Sequence, residues 1–364
     1  MSEDAAAPID DRVELVTRNV AEVVTESEVR EVLSRDSPSA YVGYAPTGEM
    51  HIGHYTTIRK LADFLRAGVD VTVLVADLHA HLDDEKSPFE LLDARSRYYR
   101  EAVAAMVEAA GASTEDVTFV RGTDFELDRE YTLDLLRMAA ETTVSRVQRA
   151  GSEVVRQSDN PKLGGLIYPL MQTQDVAALD ADIAYGGIDQ RGIYMLSREV
   201  LPERDAGKPT CLFAPLLSGL TGGKMSASEA DTSIALTDDR DAVLDKMEDA
   251  YCPAGEVEDN GVLEYLEYLV FPILEERDRP FRTERPEEYG DDVVYEDYAA
   301  LEADFLDEAL HPLDLKQAAG EYVAEFVAPI RERLTEDPDL LGEAYPEAYG
   351  DGDGDGNGNT NTEH

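Results

Sequence analysis

The feature that most constrains the fold is a regular alternation of apolar runs and helical repeats between residues 40 and 122. The runs AYVGYAP (40–46), VTVLVAD (71–77) and VTFVRG (117–122) have the composition of buried strands. Residues 55–67 and 90–110, which separate them, carry apolar side chains at helical spacing. Parallel neighbouring strands need such crossover helices. The order therefore predicts an α/β fold with a doubly wound parallel sheet of the Rossmann type.

The pattern along the whole chain predicts four parts. Valines at helical spacing before Pro38 indicate a helical N-terminal arm at residues 1–36. The α/β pattern defines a domain at 37–237, and nearly every segment of 238–345 has a helical pattern, which predicts an all-helical second domain. Residues 350–364 consist mainly of Gly, Asp and Asn and contain no apolar side chain. This composition predicts a disordered acidic tail at 346–364.

The charge of the chain is extreme. Its 78 Asp and Glu against 32 Lys and Arg give a formal net charge of −46. Such a surface repels phosphate, which taken alone argues against a nucleic-acid partner. The acids are spread over every segment, however, and 25 of the 32 cations are arginines. We interpret this composition as adaptation to high salt, where the Debye length falls to about 3 Å and charge repulsion is screened.

Several classes of protein are excluded by composition. No apolar run approaches the roughly 18 residues that a membrane span needs, and the first residues lack the basic and apolar regions of a signal peptide. Cys211 and Cys252 are too far apart for a CxxC clamp and too few for a disulfide framework. We therefore expect a cytoplasmic protein with no membrane partner, no metal ligands and no protein-bound zinc.

The segment PTGEMHIGHYTTIRKL (46–61) follows the first predicted strand and opens the first predicted helix. His51, Gly53 and His54 then lie at a helix N-terminus, where free N–H groups and the helix dipole attract phosphate. Two histidines can donate further hydrogen bonds to phosphate oxygens. An HxGH sequence alone is better explained by two solvent-facing capping histidines, so this motif needs a second signal.

The second signal is GLTGGKMSASEA (219–230), a glycine-rich loop that carries one of only seven lysines. Lys224 on a mobile loop can follow a triphosphate and neutralise charge on the leaving pyrophosphate. Taken alone, it is also compatible with an exposed lysine in a hinge. Together and in this order, the HIGH and KMSAS segments are similar to the signature of class I aminoacyl-tRNA synthetases.

Four longer segments sharpen the resemblance to the archaeal and eukaryotic tyrosyl-tRNA synthetases, over about residues 10–340. They are AYVGYAPTGEMHIGH (40–54), ADLHAHL (76–82), IYPLMQTQDVAALDADIAYGGIDQR (167–191) and ALHPLDLK (309–316). The resemblance implies a Rossmann-type catalytic domain followed by a helical anticodon-binding domain. It also implies L-tyrosine and ATP with Mg²⁺ as substrates, tRNA(Tyr) as partner, and a homodimer formed through an insertion at 115–150.

The resemblance also implies which residues bind tyrosine. By position, Tyr41 and Asp175 bind the phenol, and His79 lies on the pocket wall. Tyr168, Gln172 and Gln190 hold the α-amino group. The spacing of Tyr168, Gln172 and Asp175 agrees, because residues at i, i+4 and i+7 share one face of a helix. Spacing alone is equally compatible with half-buried helix residues.

For ATP, the predicted residues come from four segments of the catalytic domain. They are Gly43, His51, Gly53, His54, Gly187, Asp189, Lys224, Met225 and Ser226. In GGIDQ (186–190) the glycines permit close approach of a ligand and Asp189 can accept hydrogen bonds from ribose hydroxyls. Asp189 is equally suited to be a helix N-cap.

For tRNA, the resemblance places Arg149 and Arg191 near the first base pair of the acceptor stem. Each arginine is as readily explained by a surface salt bridge. The residues implied at the anticodon are Tyr289, His311, Pro312 and Asp314. An aromatic ring at 289 can stack on an unstacked base, and the carboxylate of Asp314 can accept from a guanine edge.

Where many relatives have KMSSSK, this loop ends in Glu229, so a second lysine is missing. Lys224 must then act alone, or K⁺ or Mg²⁺ must assist it. Three alternatives to a tyrosine–tRNA ligase stay open. They are a tryptophanyl-tRNA synthetase, a non-catalytic RNA-binding paralogue and a small-molecule nucleotidyltransferase. The last has a shorter chain without the helical domain.

Overall fold

The computed structural model describes residues 7–83, 86–154, 162–222, 233–285 and 291–349. Its centre is a six-stranded sheet. The strands are β1 (Glu22–Val24), β2 (Ser39–Tyr44), β3 (Asp70–Val75), β4 (Val117–Arg121), β5 (Ile183–Gly187) and β6 (Thr210–Ala214). They are ordered β1-β6-β5-β2-β3-β4, and all neighbours are parallel except β1, which pairs antiparallel with β6. The predicted parallel α/β sheet is confirmed.

Helices cover both faces of the sheet. The first face carries α1 (Ile9–Thr17), α2 (Glu26–Leu33), α3 (Ile52–Arg66) and α5 (Leu92–Ala109). The second carries α6 (Arg129–Glu141), α7 (Val144–Ala150), α8 (Gly164–Ala178) and α9 (Arg191–Val200), while α4 (Asp77–Leu82) follows β3 directly. Side chains alternate between the two faces along β2, so this strand contributes to both hydrophobic cores. Ala40 and Val42 pack on the first face and Tyr41 packs on the second.

The second domain is built around one long helix. Its helices are α10 (Arg240–Asp249), α11 (Gly261–Tyr265), α12 (Phe271–Glu276), α13 (Tyr298–Leu306), α14 (Pro312–Thr335), α15 (Pro338–Ala344) and α16 (Pro346–Tyr349). A π-helical turn at Leu266–Val270 joins α11 to α12. A small antiparallel pair, β7 (Phe281–Thr283) and β8 (Val293–Tyr295), packs beside α14.

Three elements differ from the predictions. The N-terminal arm is not wholly helical, because Glu22–Val24 form β1. Its valines suit a strand as well as a helix, and its pairing partner on β6 is nearly 190 residues away, where local spacing carries no information. The second domain is likewise not wholly helical, since it contains β7 and β8. The tail predicted from residue 346 begins with the short helix α16, and its remainder lies outside the described residues.

The second domain also supports the turn that carries the HxGH motif. Helix α5 packs against α14 and α15. The Arg95 side chain donates to the carbonyls of Ala344 (3.0 Å) and Thr47 (2.8 Å), and the Tyr345 hydroxyl donates to the Gly48 carbonyl (2.7 Å). Within the described part of the chain, none of the helices is long and apolar enough to cross a membrane.

Candidate active site

A cavity of about 320 Å³ opens at the carboxyl ends of β2 and β5. The chain order of the sheet reverses between these two strands, and ligands of open α/β sheets bind at such a switch point. Every predicted tyrosine-binding and ATP-binding residue that the structure describes lines this cavity. They are Tyr41, Gly43, His51, Gly53, His54, His79, Tyr168, Gln172, Asp175, Gly187, Asp189 and Gln190.

The closed end of the cavity is formed by Tyr41 and Asp175, which are 2% and 0% exposed. One oxygen of Asp175, Oδ1, accepts a hydrogen bond from the Tyr131 hydroxyl at 2.7 Å. The other, Oδ2, is buried without a hydrogen-bond partner among the described residues. Burial raises the pKa of Asp175 above its ordinary value, although nearby His79 opposes the shift. This end can therefore accept a hydrogen bond from a buried hydroxyl.

A second polar group lies on the same face of α8. Helix α8 places Tyr168 two turns and Gln172 one turn before Asp175, as predicted. The Gln172 side-chain nitrogen donates to Gln190 Oε1 at 3.1 Å, which leaves Gln172 Oε1 buried without a partner in the described structure. The three polar side chains Tyr168, Gln172 and Gln190 offer oxygens to a ligand ammonium group.

The HxGH histidines form the N-terminal cap of α3. His51 is the N-cap residue, and its Nδ1 accepts from the Gly53 N–H at 3.2 Å, while His54 Nδ1 lies 3.2 Å from the His51 N–H. Burial lowers the pKa of His51 well below its ordinary value and that of His54 to about 4. Both rings are thus neutral at pH 7. With Nδ1 accepting, the His51 proton is on Nε2, which can donate to a phosphate.

Small residues and one carboxylate complete the cavity wall. A Cβ at Gly43 would lie 3.1 Å from the Tyr41 hydroxyl, and one at Gly187 would lie 2.6 Å from Asp189 Oδ1. Larger side chains would therefore occupy the space that a ligand needs. Asp189 lies in a short 3₁₀ turn whose N-cap is Gly187, and the N-cap of α9 is Gln190. The alternative of Asp189 as an N-cap is therefore wrong.

Comparison with known proteins decides the family. The family model described as "tRNA synthetases class I (W and Y)" matches residues 33–328. The "Tyrosine--tRNA ligase" of the halophilic archaeon Haloarcula marismortui is 67% identical over 93% of this chain and 98% of its own length. The chain belongs to the class I tyrosine–tRNA ligases. The match also agrees with the salt adaptation inferred from composition.

Solved structures of tyrosyl-tRNA synthetases have the same fold as this chain. The tyrosyl-tRNA synthetase from Archaeoglobus fulgidus, complexed with L-tyrosine, superposes with a TM-score of 0.83 at 42% identity, over 90% of this chain and 100% of that one. A tryptophanyl-tRNA synthetase from Giardia lamblia shares only the fold, with a TM-score of 0.69 at 16% identity over 92% of this chain and 90% of that one.

None of the residues predicted to contact tRNA, where the structure describes them, lines the cavity. Arg149 is exposed at the end of α7, which packs against α9, and Arg191 begins α9. The Arg191 guanidinium makes two hydrogen bonds to Glu22, at 2.6 and 2.9 Å. Arg191 therefore forms the surface salt bridge that was the alternative explanation for this residue.

In the second domain, His311 caps α14 by accepting from the Leu313 N–H at 3.1 Å, and Pro312 is the first residue of that helix. Asp314 Oδ2 lies 3.4 Å from the Arg285 guanidinium. Four predicted site residues lie outside the described residues: Lys224, Met225, Ser226 and Tyr289. Their roles stay predictions.

Three cavity neighbours were missed by sequence reasoning. Tyr131 of α6 donates to Asp175, and Glu126 lies beside His79, with 3.5 Å between its Oε1 and the ring Nδ1. Tyr194 of α9 packs edge-on against the Tyr41 ring, with 6.3 Å between centroids. None of them stands in a recognisable motif. Packing of α6 and α9 against α8 brings Tyr131 and Tyr194 to the site, and the contact of the turn Gly122–Asp124 with α4 brings Glu126.

Proposed function

We infer that this ligase activates L-tyrosine with ATP to give tyrosyl-adenylate and pyrophosphate, and then transfers tyrosine to the 3′-terminal adenosine of tRNA(Tyr). The observation that carries this proposal is the shape of the cavity. A buried end with a tyrosine hydroxyl and a carboxylate acceptor lies at one side, and two neutral histidines on a helix N-terminus lie at the other. ATP–pyrophosphate exchange with each amino acid tests it, and tyrosine alone should support exchange.

The phenol of tyrosine binds Asp175 and Tyr41 in this proposal. Asp175 Oδ2 accepts a hydrogen bond from the substrate hydroxyl, and Tyr41 can both donate and accept. Phenylalanine would leave the buried carboxylate oxygen without a partner. Tryptophan brings a ring N–H but no hydroxyl for Tyr41, so exchange with tryptophan would favour the tryptophanyl alternative. A chain without any exchange would be the RNA-binding paralogue.

The reaction needs positioning and charge stabilisation more than covalent chemistry. The tyrosine carboxylate attacks the α-phosphate in line, pyrophosphate leaves, and the tRNA ribose hydroxyl then attacks the adenylate carbonyl. His51 and His54 donate to phosphate oxygens, Asp189 binds the ribose, and Gly43, Gly53 and Gly187 give the nucleotide room. Mg²⁺ accompanies ATP as part of the substrate, and Lys224, Met225 and Ser226 belong to the loop proposed to cover the phosphates.

We place anticodon recognition on the turn that begins α14. Asp314 is only 21% exposed and is held beside Arg285. The turn lies in the second domain, separate from the cavity, and Tyr289, His311 and Pro312 belong to the same proposed site. Arg149 and Arg191 contact the acceptor stem in this proposal, and the Arg191 guanidinium exchanges Glu22 for tRNA when tRNA binds.

Asp314→Ala is expected to lower kcat/KM for aminoacylation about tenfold or more, because the carboxylate reads a base of tRNA. Tyrosine-dependent exchange should stay within about twofold, since Asp314 does not line the adenylation cavity. Asp307→Ala is the matched control: it removes an exposed acid nearby and relieves the same repulsion of RNA. Equal losses in exchange and aminoacylation would contradict the assignment.

We further propose a homodimer formed through residues 115–150, in the cytoplasm where tRNA is charged. Exposed apolar side chains concentrate in this segment: Leu127, Leu133, Leu136 and Val144 are 67%, 41%, 62% and 59% exposed. Leu133 and Leu136 share one face of α6. An exposed apolar face of this kind is typical of a protein interface.

Leu136→Asp is expected to convert the dimer to monomer, with about a tenfold or greater loss of association, because a charge in an apolar interface has no partner. Sedimentation equilibrium in molar KCl measures it. Leu306→Asp, at a leucine that is 50% exposed on α13, is the control and should leave the mass unchanged. A wild-type chain that sediments as a monomer would remove the dimer proposal.

A further inference from the structure

Three buried ionisable side chains form a row behind the closed end of the cavity. Glu126, His79 and Asp175 are 3%, 1% and 0% exposed. Glu126 Oε1 lies 3.5 Å from His79 Nδ1, and His79 Nε2 lies 3.4 Å from Asp175 Oδ2. Both ring nitrogens, both Glu126 oxygens and Asp175 Oδ2 lack hydrogen-bond partners among the described residues. The polar atoms of the row therefore face mainly one another.

The row does not have the geometry of a metal site. Its potential ligand atoms lie within 4.8 Å of one another, which is close enough for one ion. However, Glu126 faces one ring nitrogen and Asp175 faces the other. A metal binds an imidazole through a single nitrogen, so one of the two carboxylates would have to leave the other nitrogen to reach the same ion. A doubly protonated imidazole between two carboxylates fits the arrangement.

Electrostatics favours the same state. Two ionised carboxylates beside a neutral ring would bury two uncompensated charges, whereas an imidazolium leaves one. Burial lowers the pKa of His79, but the carboxylates of Asp175 and Glu126 outweigh this effect and raise it above its ordinary value. Burial also raises the pKa of Asp175 and the charge of His79 opposes that rise, so the ring charge is what favours an ionised Asp175.

The other groups that face the ring do not change this balance. Asp77 contributes a smaller stabilisation of the ring charge, and its own charge is paired with Arg121 and bonded by Thr123. The Tyr168 ring packs edge-on against the imidazole, with 4.7 Å between centroids, and Tyr131 donates to Asp175.

We propose that Glu126 is a positioning residue for tyrosine recognition: its carboxylate holds His79 as an imidazolium, which in turn keeps Asp175 ionised and oriented to accept the substrate hydroxyl. The proposal rests on the assignment of Asp175 to the phenol. Glu126 acts only through His79. Space for its carboxylate depends on Gly122, where a Cβ would lie 2.7 Å from Glu126 Oε1.

Removing the Glu126 charge should shift one proton from His79 to Asp175. The total number of protons on the two groups stays the same. An imidazolium with a carboxylate and a neutral imidazole with a carboxylic acid contain the same protons, and a dry site favours the neutral pair once Glu126 no longer holds the ring charge. Asp175 would then carry a proton and lose much of its ability to accept a hydrogen bond from the tyrosine hydroxyl. Raising the pH removes that proton and restores the acceptor.

Glu126→Gln tests this, with Glu130→Gln as the matched control because Glu130 is exposed four residues further along. At pH 7 we expect kcat/KM for tyrosine to fall about 10- to 100-fold, mainly through KM, while kcat/KM for phenylalanine changes less than about threefold. The tyrosine loss should shrink between pH 7 and 9 in Glu126→Gln only. Glu126→Asp keeps the charge and should keep most of the tyrosine preference.

The outcomes separate the two proposals. An unchanged tyrosine-to-phenylalanine ratio in Glu126→Gln, or equal losses for both amino acids at every pH, overturns the role of Glu126. Wild-type enzyme without tyrosine-dependent exchange overturns the proposed function instead. If Glu126→Gln does not fold, ¹⁵N NMR of the wild-type protein decides, with the His79 signals assigned from His79→Gln. Two protonated ring nitrogens at pH 7 support the proposal, and a neutral ring overturns it.

Discussion

Asp175→Asn is expected to lower kcat/KM for tyrosine about 10³-fold or more, and kcat/KM for phenylalanine less than about threefold. The carboxylate is the only ionised acceptor proposed for the substrate hydroxyl, and Asp175 is fully buried. Asparagine has the same shape but turns one acceptor into a donor and removes the charge. Tyrosyl-tRNA synthetases are the standard example of such discrimination, roughly 10⁵ against phenylalanine, and that known magnitude sets the upper limit here.

Tyr131→Phe is the matched variant for this measurement. It removes the donor to Asp175 Oδ1 and leaves the carboxylate in place. Its expected effect is therefore smaller, about tenfold, and again confined to tyrosine. Pyrophosphate exchange with both amino acids, on samples whose circular dichroism matches the wild type, gives the ratios. Equal losses for tyrosine and phenylalanine in Asp175→Asn would remove this residue from the phenol site.

The site could be predicted from sequence where its residues share a local element. HIGH lies at one strand-to-helix turn, and Tyr168, Gln172 and Asp175 repeat along α8, so spacing alone placed each group correctly. Spacing could not join the two groups. Their convergence followed from a resemblance, and the structure brings both to the switch point between β2 and β5.

The missed residues have a common physical cause. Tyr131 and Glu126 stand 44 and 49 residues before Asp175, on a helix and a loop whose local pattern only describes their own element. Tyr131 reaches the site because α6 packs on α8, and Glu126 because the turn before it contacts α4; such tertiary packing leaves no periodic signal in the sequence. The same holds for β1, a three-residue strand whose identity depends on its distant partner β6. Local motifs were therefore predictable and their supporting contacts were not.

The net charge has a different relation to the fold. Some ion pairs are buried and are little affected by salt. One is Lys60 with Asp63, whose charged atoms are 3.1 Å apart and whose side chains are 4% and 3% exposed. Most of the remaining arginines pair on the surface, for example Arg30 with Asp10 and Arg279 with Glu325. Because the chain has 78 Asp and Glu but only 32 Lys and Arg, many exposed carboxylates cannot pair with a cation one to one. Their mutual repulsion acts against the folded state and against tRNA.

Raising KCl from about 0.1 M to about 2 M is therefore expected to increase both stability and tRNA charging. Over this range the Debye length falls from about 10 Å to near 2 Å, so the repulsion among surface acids is screened. The midpoint of thermal unfolding should rise on the order of 10 °C. An ordinary synthetase would lose tRNA affinity in the same range through counterion release, so the sign of the effect should be reversed here.

Two activities measured on the same samples separate the causes. Circular dichroism reports folding, tyrosine-dependent pyrophosphate exchange reports the cavity, and aminoacylation adds the encounter with tRNA. If salt acts only by folding the chain, exchange and aminoacylation will rise together with the folded fraction. If it also screens repulsion of tRNA, aminoacylation will continue to rise about tenfold after the chain is fully folded and exchange has levelled off. Full folding and maximal aminoacylation near 0.1 M KCl would contradict salt adaptation, and the charge of −46 would then need another cause.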